Sequence, residues 1–257
     1  MHVKELFSLT GKTAIVTGGG RGLGEQIALG FAEAGANVVV CSRKLEACED
    51  VSKKLKELGV NSMALKCDIT NPQDVKNVVD RTVEKFGNID ILVNNSGASW
   101  GAPVEEMPLE AWQKVINVNV TGTFLMSQAA GKVMLEQGFG KIINIASVAG
   151  LKGSNPKYMN AIGYNSSKGA VITFTKDLAV KWGPRGIYVN AIAPGFFPTK
   201  MSKVLLEEGG SGILEGTPLR KFGSDTDLKG VAVFLAAPAS DYITGDVLVV
   251  DGGTHVL

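Results

Sequence analysis

Short apolar runs and segments of helical period alternate along the whole chain. Seven runs are rich in β-branched and other apolar residues: Thr13–Thr17, Asn37–Cys41, Ser62–Lys66, Asp90–Asn94, Lys141–Ala146, Ile187–Ile192 and Asp246–Val250. Several are apolar at nearly every position, as expected of strands covered on both faces. Between them apolar residues recur at helical spacing, most clearly over Leu45–Leu58 and Pro72–Phe86, and a long helix is predicted from Trp112 through Ala130. Regular strand–helix alternation predicts an α/β fold with one doubly wound parallel sheet of about seven strands and helices on both faces. No linker, repeat or low-complexity tract interrupts the pattern, so residues 1–257 read as one domain. The Gly-rich patch Glu207–Gly212 reads as a mobile loop within it.

Composition adds exclusions. The 257 residues are 45% hydrophobic, and 26 Lys and Arg stand against 25 Asp and Glu. A net charge of +1 offers no broad field for nucleic acid or an anionic membrane. No apolar run approaches the ~18 residues of a spanning helix. The opening Met1–Ser8 lacks the apolar stretch of a signal peptide, so the cytoplasm is the expected location. Cys41, Cys48 and Cys67 form no Cys-x-x-Cys motif and read as small buried thiols. His2 and His255, at opposite ends, are too few for a His-rich metal cluster, and no metal is expected.

The first strand runs into Thr17-Gly18-Gly-Gly-Arg21-Gly22-Leu23-Gly24, and a helix follows. Glycines at such a turn let backbone N–H groups approach a pyrophosphate, aided by the positive end of the helix. This makes the predicted sheet Rossmann-like. The spacing is Thr-Gly-x-x-x-Gly-x-Gly, and a plain glycine-rich turn is the alternative. After the second strand, where an acid would bind the ribose of NAD, stand Ser42, Arg43 and Lys44. Arg43 suits a 2′-phosphate, and Arg21 could reach the same group, which points to NADP(H). The alternative is a solvated Arg43 at a helix start. Asp68, before Ile69, either accepts from an adenine amino group or caps the helix near Pro72. Asn94-Asn95-Ser96-Gly97 ends the fourth strand, on the side where open α/β sheets hold ligands.

Asn119 sits inside an apolar helical stretch, where its amide must be satisfied. It either breaks the helix locally and holds a water that feeds protons to Lys168, or serves core hydrogen bonding alone. Ser147 ends the fifth strand with a hydroxyl able to hold a carbonyl oxygen. Tyr164 and Lys168 fall one turn apart on one helix face. The ammonium is expected to lower the phenol's pKa, so that it exchanges a proton with an alcohol oxygen near neutral pH. Taken alone, such a pair also occurs as ordinary helix surface.

Thr17-Gly18-x-x-x-Gly22-x-Gly24, Asn94-Asn95-x-Gly97, Asn119, Ser147, Tyr164-x-x-x-Lys168, Pro194-Gly195 and Asp251-Gly252-Gly253 occur in the order of the short-chain dehydrogenase/reductase family. The chain resembles that family over essentially its whole length, and within it the gluconate 5-dehydrogenase and 3-oxoacyl-carrier-protein reductase group. The resemblance implies an NADPH-dependent carbonyl reductase or alcohol dehydrogenase acting on a small-molecule ketone or secondary alcohol. Tyr164 would be the general acid/base, Lys168 would lower its pKa and hold the nicotinamide ribose, Ser147 would orient the substrate oxygen, and Asn119 would position a relay water. Gly18, Arg21, Gly22, Leu23, Gly24, Ser42, Arg43, Asp68, Ile69, Asn95, Ser96, Gly97, Pro194, Gly195 and Thr199 would line the cofactor site. Ser96 departs from the family's usual Ala, and the 152–160 stretch lengthens the gap between Ser147 and Tyr164. Trp100, Phe196, Phe197, Met201, Val204 and Leu205 suggest an apolar substrate mouth, with packing or subunit contacts as the alternative for several of them. Lys152, Lys157 and Lys200 are the only nearby candidates to hold a sugar acid. The resemblance also implies a homotetramer or dimer paired through the helices carrying Asn119 and Tyr164, with Phe124, Val171, Phe174 and Leu178 as apolar faces; burial in the chain's own core is the alternative explanation of those faces. An NADP-binding regulator without turnover is the non-enzymatic alternative.

Overall fold

Thr13–Thr17 (β1) is buried at every position, and so are Ile91–Asn94 (β4) and Gly140–Ile145 (β5). Unbroken burial means that both sheet faces are covered, because successive side chains point to opposite sides. Asn37–Ser42 (β2) and Ser62–Lys66 (β3) extend the sheet on one side, and Ile187–Pro194 (β6) and Val247–Val250 (β7) on the other. All neighbouring strands are parallel, in the order β3-β2-β1-β4-β5-β6-β7. The computed structural model describes residues 1–156, 159–199, 210 and 212–257.

Helices among the described residues include Val3–Leu6 (α1), Gly22–Glu33 (α2), Leu45–Glu57 (α3), Pro72–Phe86 (α4), Leu109–Ile116 (α5), Gly122–Gln137 (α6), Ile162–Trp182 (α7) and Lys229–Ala236 (α8). The predicted bounds of α4 hold at both ends. Asn71 accepts from the Gln73 amide at 2.9 Å, Pro72 presets the first turn, and Gly87 stops the helix at φ 82°. Asn71, rather than Asp68, is therefore the cap. Core side chains divide by strand parity. Ala14 and Val16 face Ile27, Phe31, Leu55 and Leu235, while Ile15 faces Val78, Met126 and Leu178. Val171 and Leu178, read as interface residues, are buried in the chain's own core, whereas Phe124 is 44% exposed. Among the described residues no helix is long and apolar enough to cross a membrane.

The apolar run opening at Lys141 hides a charge. The Lys141 side chain is buried, and its Nζ donates to Ala237 O at 2.7 Å and Ser240 Oγ at 2.9 Å and pairs with Asp241 at 2.7 Å. Burial lowers its pKa, and Asp241 acts against that. This anchor lies at the start of β5, at the end of the strands opposite the glycine turn. Residues 207–209 and 211 of the expected mobile patch, and Lys157, Tyr158, Lys200, Met201, Val204 and Leu205, lie outside the described residues.

Candidate active site

The strand order reverses between β1 and β4, and in such sheets the crevice beyond the strands' carboxyl ends opens at that point. Here the two strand ends are locked together. Thr17 Oγ1 accepts from the Asn95 amide at 3.0 Å and the Ser96 amide at 3.1 Å, and donates to Val93 O at 3.2 Å. Asn95 Nδ2 returns bonds to Thr17 O at 2.9 Å and Gly18 O at 3.2 Å. The glycine turn is thus held from below, and Asn95 spends its amide donors on the turn itself. Gly18 adopts φ +63°, and a Cβ there would stand 2.9 Å from Asn95 Nδ2. A Cβ on Gly24 would overlap Gly18 O and Asn95 Nδ2. Gly24→Ala is therefore expected to destabilise the chain by about 2 kcal/mol or more, the upper range of overpacking, because backbone cannot yield. Denaturant unfolding checks this.

Arg21 precedes α2, and Gly22, Leu23 and Gly24 open it, so their N–H groups belong to the unpaired first turn. Thr199 reaches the same turn: its Cγ2 would lie 3.6 Å from a Cβ on Gly22. Gly195 follows β6 and donates to Val250 O at 2.9 Å, next to Pro194. At the end of β2, Ser42 Oγ accepts from the Lys44 amide at 3.3 Å and donates to Lys44 O at 2.9 Å, fixing the turn that leads into α3. Arg43 and Asp68 line one pocket of about 420 Å³, together with Val118. The carboxyl of Asp68 is held below its ordinary range, chiefly by the Thr70 amide, with the Thr70 hydroxyl and Arg43 helping. Ile69 sends its side chain against Gly122 in the core, leaving only its backbone toward the crevice.

The titratable cluster stands beyond β4 and β5. Ser147 begins a tight turn over Val148–Gly150, and its Oγ accepts from the Ala149 amide at 3.2 Å. The same hydroxyl lies close enough to the Tyr164 phenol to act on its pKa. Lys168, one turn further along α7, is buried, with Nζ 5.5 Å from the centre of the Tyr164 ring. That Nζ donates to Ile145 O at 2.6 Å, and a Cβ on Gly97 would stand 4.0 Å from it. Burial pushes the Lys168 ammonium down to about 8. The expected lowering of the Tyr164 pKa is not found. Burial of the phenol raises it, and the Ser147 hydroxyl only opposes that rise. The ammonium is turned toward a backbone carbonyl rather than the phenolic oxygen.

Asn119 lies in a π-turn, Asn117–Thr121, that joins α5 to α6. The helix is thus locally widened, as the buried amide predicted. The side chain is fully engaged by protein: Oδ1 accepts from the Ala98 amide at 2.7 Å, and Nδ2 donates to Ala98 O at 2.9 Å and Ser167 Oγ at 2.8 Å. Its amide therefore ties the 97–98 backbone to α7.

Residues 18–255 match the family model described as enoyl-(acyl carrier protein) reductase. The chain is 41% identical over 248 residues to a 3-oxoacyl-(acyl-carrier-protein) reductase of Synechocystis, spanning 96% of this chain and 98% of that one. It is 40% identical over 256 residues to a 2-dehydro-3-deoxy-D-gluconate 5-dehydrogenase of Bacillus subtilis, spanning 98% of each. A gluconate 5-dehydrogenase of Burkholderia cenocepacia, solved in complex with NADP and tartrate, superposes with a TM-score of 0.94 at 34% identity over 100% of both chains. The chain belongs to the short-chain dehydrogenase/reductase family.

Three residues of this dehydrogenase/reductase site carry weight that the sequence did not announce. Ser167 is fully buried, accepts from Asn119 and donates to Tyr164 O at 2.7 Å. Ala98 offers both backbone groups to Asn119, and Thr17 clasps two strand ends. The buried Asn119 demanded partners, but only the fold could name them. Two expectations at the mouth change. Phe197 is 5% exposed and belongs to the core, whereas Trp100 is 45% exposed. Lys152 donates to Thr254 O and, at 3.4 Å, to Leu257 O, so it braces the chain's last residues. The 152–160 stretch is also pinned by Asn165 Nδ2 to Ser154 Oγ at 2.8 Å and by the Ala102 amide to Asn160 O at 2.9 Å.

Proposed function

We propose that the chain is an NADP(H)-dependent oxidoreductase acting on CH–OH groups, a carbonyl reductase with Tyr164 as its general acid/base. The observation that carries this is the Tyr164 phenol beside Ser147 with the buried Lys168 one turn away, beyond the strand ends that hold the glycine turn. The residues present fit a dinucleotide: unpaired N–H groups at the start of α2 suit the pyrophosphate, and the Arg43 pocket suits a phosphorylated adenosine. A bound nicotinamide supplies or takes up the hydride. Ser147 donates to the substrate carbonyl oxygen and fixes its direction. Tyr164 gives that oxygen its proton during reduction and removes it during oxidation. Lys168, held by Ile145 O, keeps donors in hand for the ribose and for the phenolate. Asn119 holds the Ala98 backbone against α7, and both its side-chain amide and its main-chain carbonyl, which accepts from Thr123 Oγ1 at 2.8 Å, are engaged by protein, so its role is to position these elements.

The substrate is a ketone or secondary alcohol. The exposed Trp100 and the commitment of Lys152 elsewhere favour an apolar ketone, 3-oxoacyl chains included. Sugar acids are the second reading, favoured by the relatives named for gluconate chemistry. We also place residues 1–257 in one domain, as the seven-stranded sheet suggests, in the cytoplasm, in keeping with three free thiols. Phe124 supports pairing into a dimer or tetramer through α6.

NADPH oxidation against ketones, keto acids, keto-sugars and 3-oxoacyl thioesters tests the proposal. Turnover of at least one class is expected. NADPH binding without any turnover would instead favour a regulatory protein. Arg43→Asp is expected to weaken NADPH by ~10²-fold and NADH by less than about twofold, because a carboxylate then faces the 2′-phosphate. Paired fluorescence titrations check this, and equal effects on both would remove Arg43 from the phosphate site.

A further inference from the structure

The pocket that holds Arg43 has a second wall. Arg43, Asp68 and Thr70 come from the ends of β2 and β3, while Glu110, Lys114 and Val118 come from α5 and the π-turn across the opening. Asp68 Oδ1 is already taken up by the Thr70 amide at 3.0 Å and hydroxyl at 2.7 Å. Its charge is partly satisfied before any ligand arrives.

Glu110 and Lys114 stand at i,i+4 spacing with the acid first, the order that favours an ion pair on a helix. Lys76 with Asp80, and Lys181 with Asp177, do pair at that spacing. Glu110 and Lys114 do not, and both line the pocket instead. The neutral amides on the same face are occupied with each other, Gln113 Nε2 donating to Asn117 Oδ1 at 3.2 Å. Among the described residues no protein acceptor claims Lys114 Nζ. The pocket thus carries one cation from the end of β2 and one from α5, with the carboxylates of Asp68 and Glu110 and the apolar Val118 in the same lining.

We propose that Lys114 is a specificity-determining residue for the cofactor: its ammonium meets the 2′-phosphate of the bound dinucleotide from the α5 side, opposite Arg43. The inference rests on the NADP(H) reading above. A phosphate monoester carries about −1.5 to −2 charge at neutral pH, more than one guanidinium offsets. Lys114 adds a further cation to Arg43 and Arg21 at this phosphate, and Asp68 and Val118 remain for the adenine.

Fluorescence titration of NADPH and NADH into the parent, Lys114→Ala and Arg43→Ala proteins tests this. Lys114→Ala is expected to weaken NADPH about threefold to tenfold, a range set by its solvent exposure, and NADH by less than about twofold. The NADPH loss should shrink at high salt, and Lys114→Arg should restore affinity. Because the side chain is exposed, the fold is not at risk, and circular dichroism verifies that. An unchanged NADPH affinity in Lys114→Ala, or an equal loss for both nucleotides, overturns the assignment. If Arg43→Ala also spares NADPH, the NADP(H) reading itself fails. If Arg43→Ala is selective and Lys114→Ala is not, only the Lys114 assignment is lost.

Discussion

Tyr164→Phe is expected to lower kcat by ~10²–10⁴-fold while NADPH affinity stays within about twofold. The substitution removes one hydroxyl and keeps the ring that fills the space beside Lys168. Ser147 keeps its bond from the Ala149 amide, so the site loses its proton donor without losing its shape. Burial above the ordinary phenol range has a directional consequence in the parent. The protonated phenol needed for reduction persists through neutral pH. The phenolate needed for oxidation is scarce there, so alcohol oxidation should accelerate as pH rises. Steady-state rates in both directions across pH, with NADPH titrations on the same preparations, check both statements. Undiminished turnover in the variant would exclude Tyr164 as the acid.

Lys168→Met is expected to abolish turnover and yet stabilise the unliganded chain. Burial takes the Lys168 ammonium from 10.5 down to about 8, a cost of about 3 kcal/mol while the group is charged in both folded and unfolded states. That cost is present in full below pH about 8. It fades as pH climbs from there toward the unfolded value, and vanishes above it, because the neutral amine carries no such penalty. Leaving Ile145 O without its donor takes back about 1 kcal/mol. A net gain of about 2 kcal/mol at pH 7, shrinking above pH about 8 and reversing to a loss of about 1 kcal/mol above pH about 10.5, is the signature to seek in denaturant unfolding. A variant less stable than the parent at pH 7 would mean that the ammonium is not buried against its preference.

Much of this architecture was legible because each level of the sequence agreed with the next. The β1 and α4 bounds were readable from apolar runs, an Asn-Pro start and a Gly stop, all local signals. The glycine turn and the Tyr164–Lys168 spacing were legible for the same reason. What escaped were contacts made across the fold. Thr17 looks like the end of a strand until Asn95 and Ser96 arrive over it. Ser167 is one of two adjacent serines until Asn119 selects it. Lys141 looks like a strand's polar edge until Asp241 and Ser240 close around it. The Tyr164 expectation went the wrong way because spacing shows that an ammonium is near, whereas its direction depends on which carbonyl lies within reach. Lys114 was hidden likewise, since only the fold brings α5 opposite Arg43.

The central claim is that a proton from Tyr164 and a hydride from the nicotinamide meet at one carbonyl. Reduction of the best panel compound with NADPH deuterated at the transferring C4 position tests it most directly. Deuterium bound to the carbinol carbon of the product, formed by the parent and lost with Tyr164→Phe, is the predicted result. Product without deuterium, or deuterated product formed equally well by the variant, would contradict it.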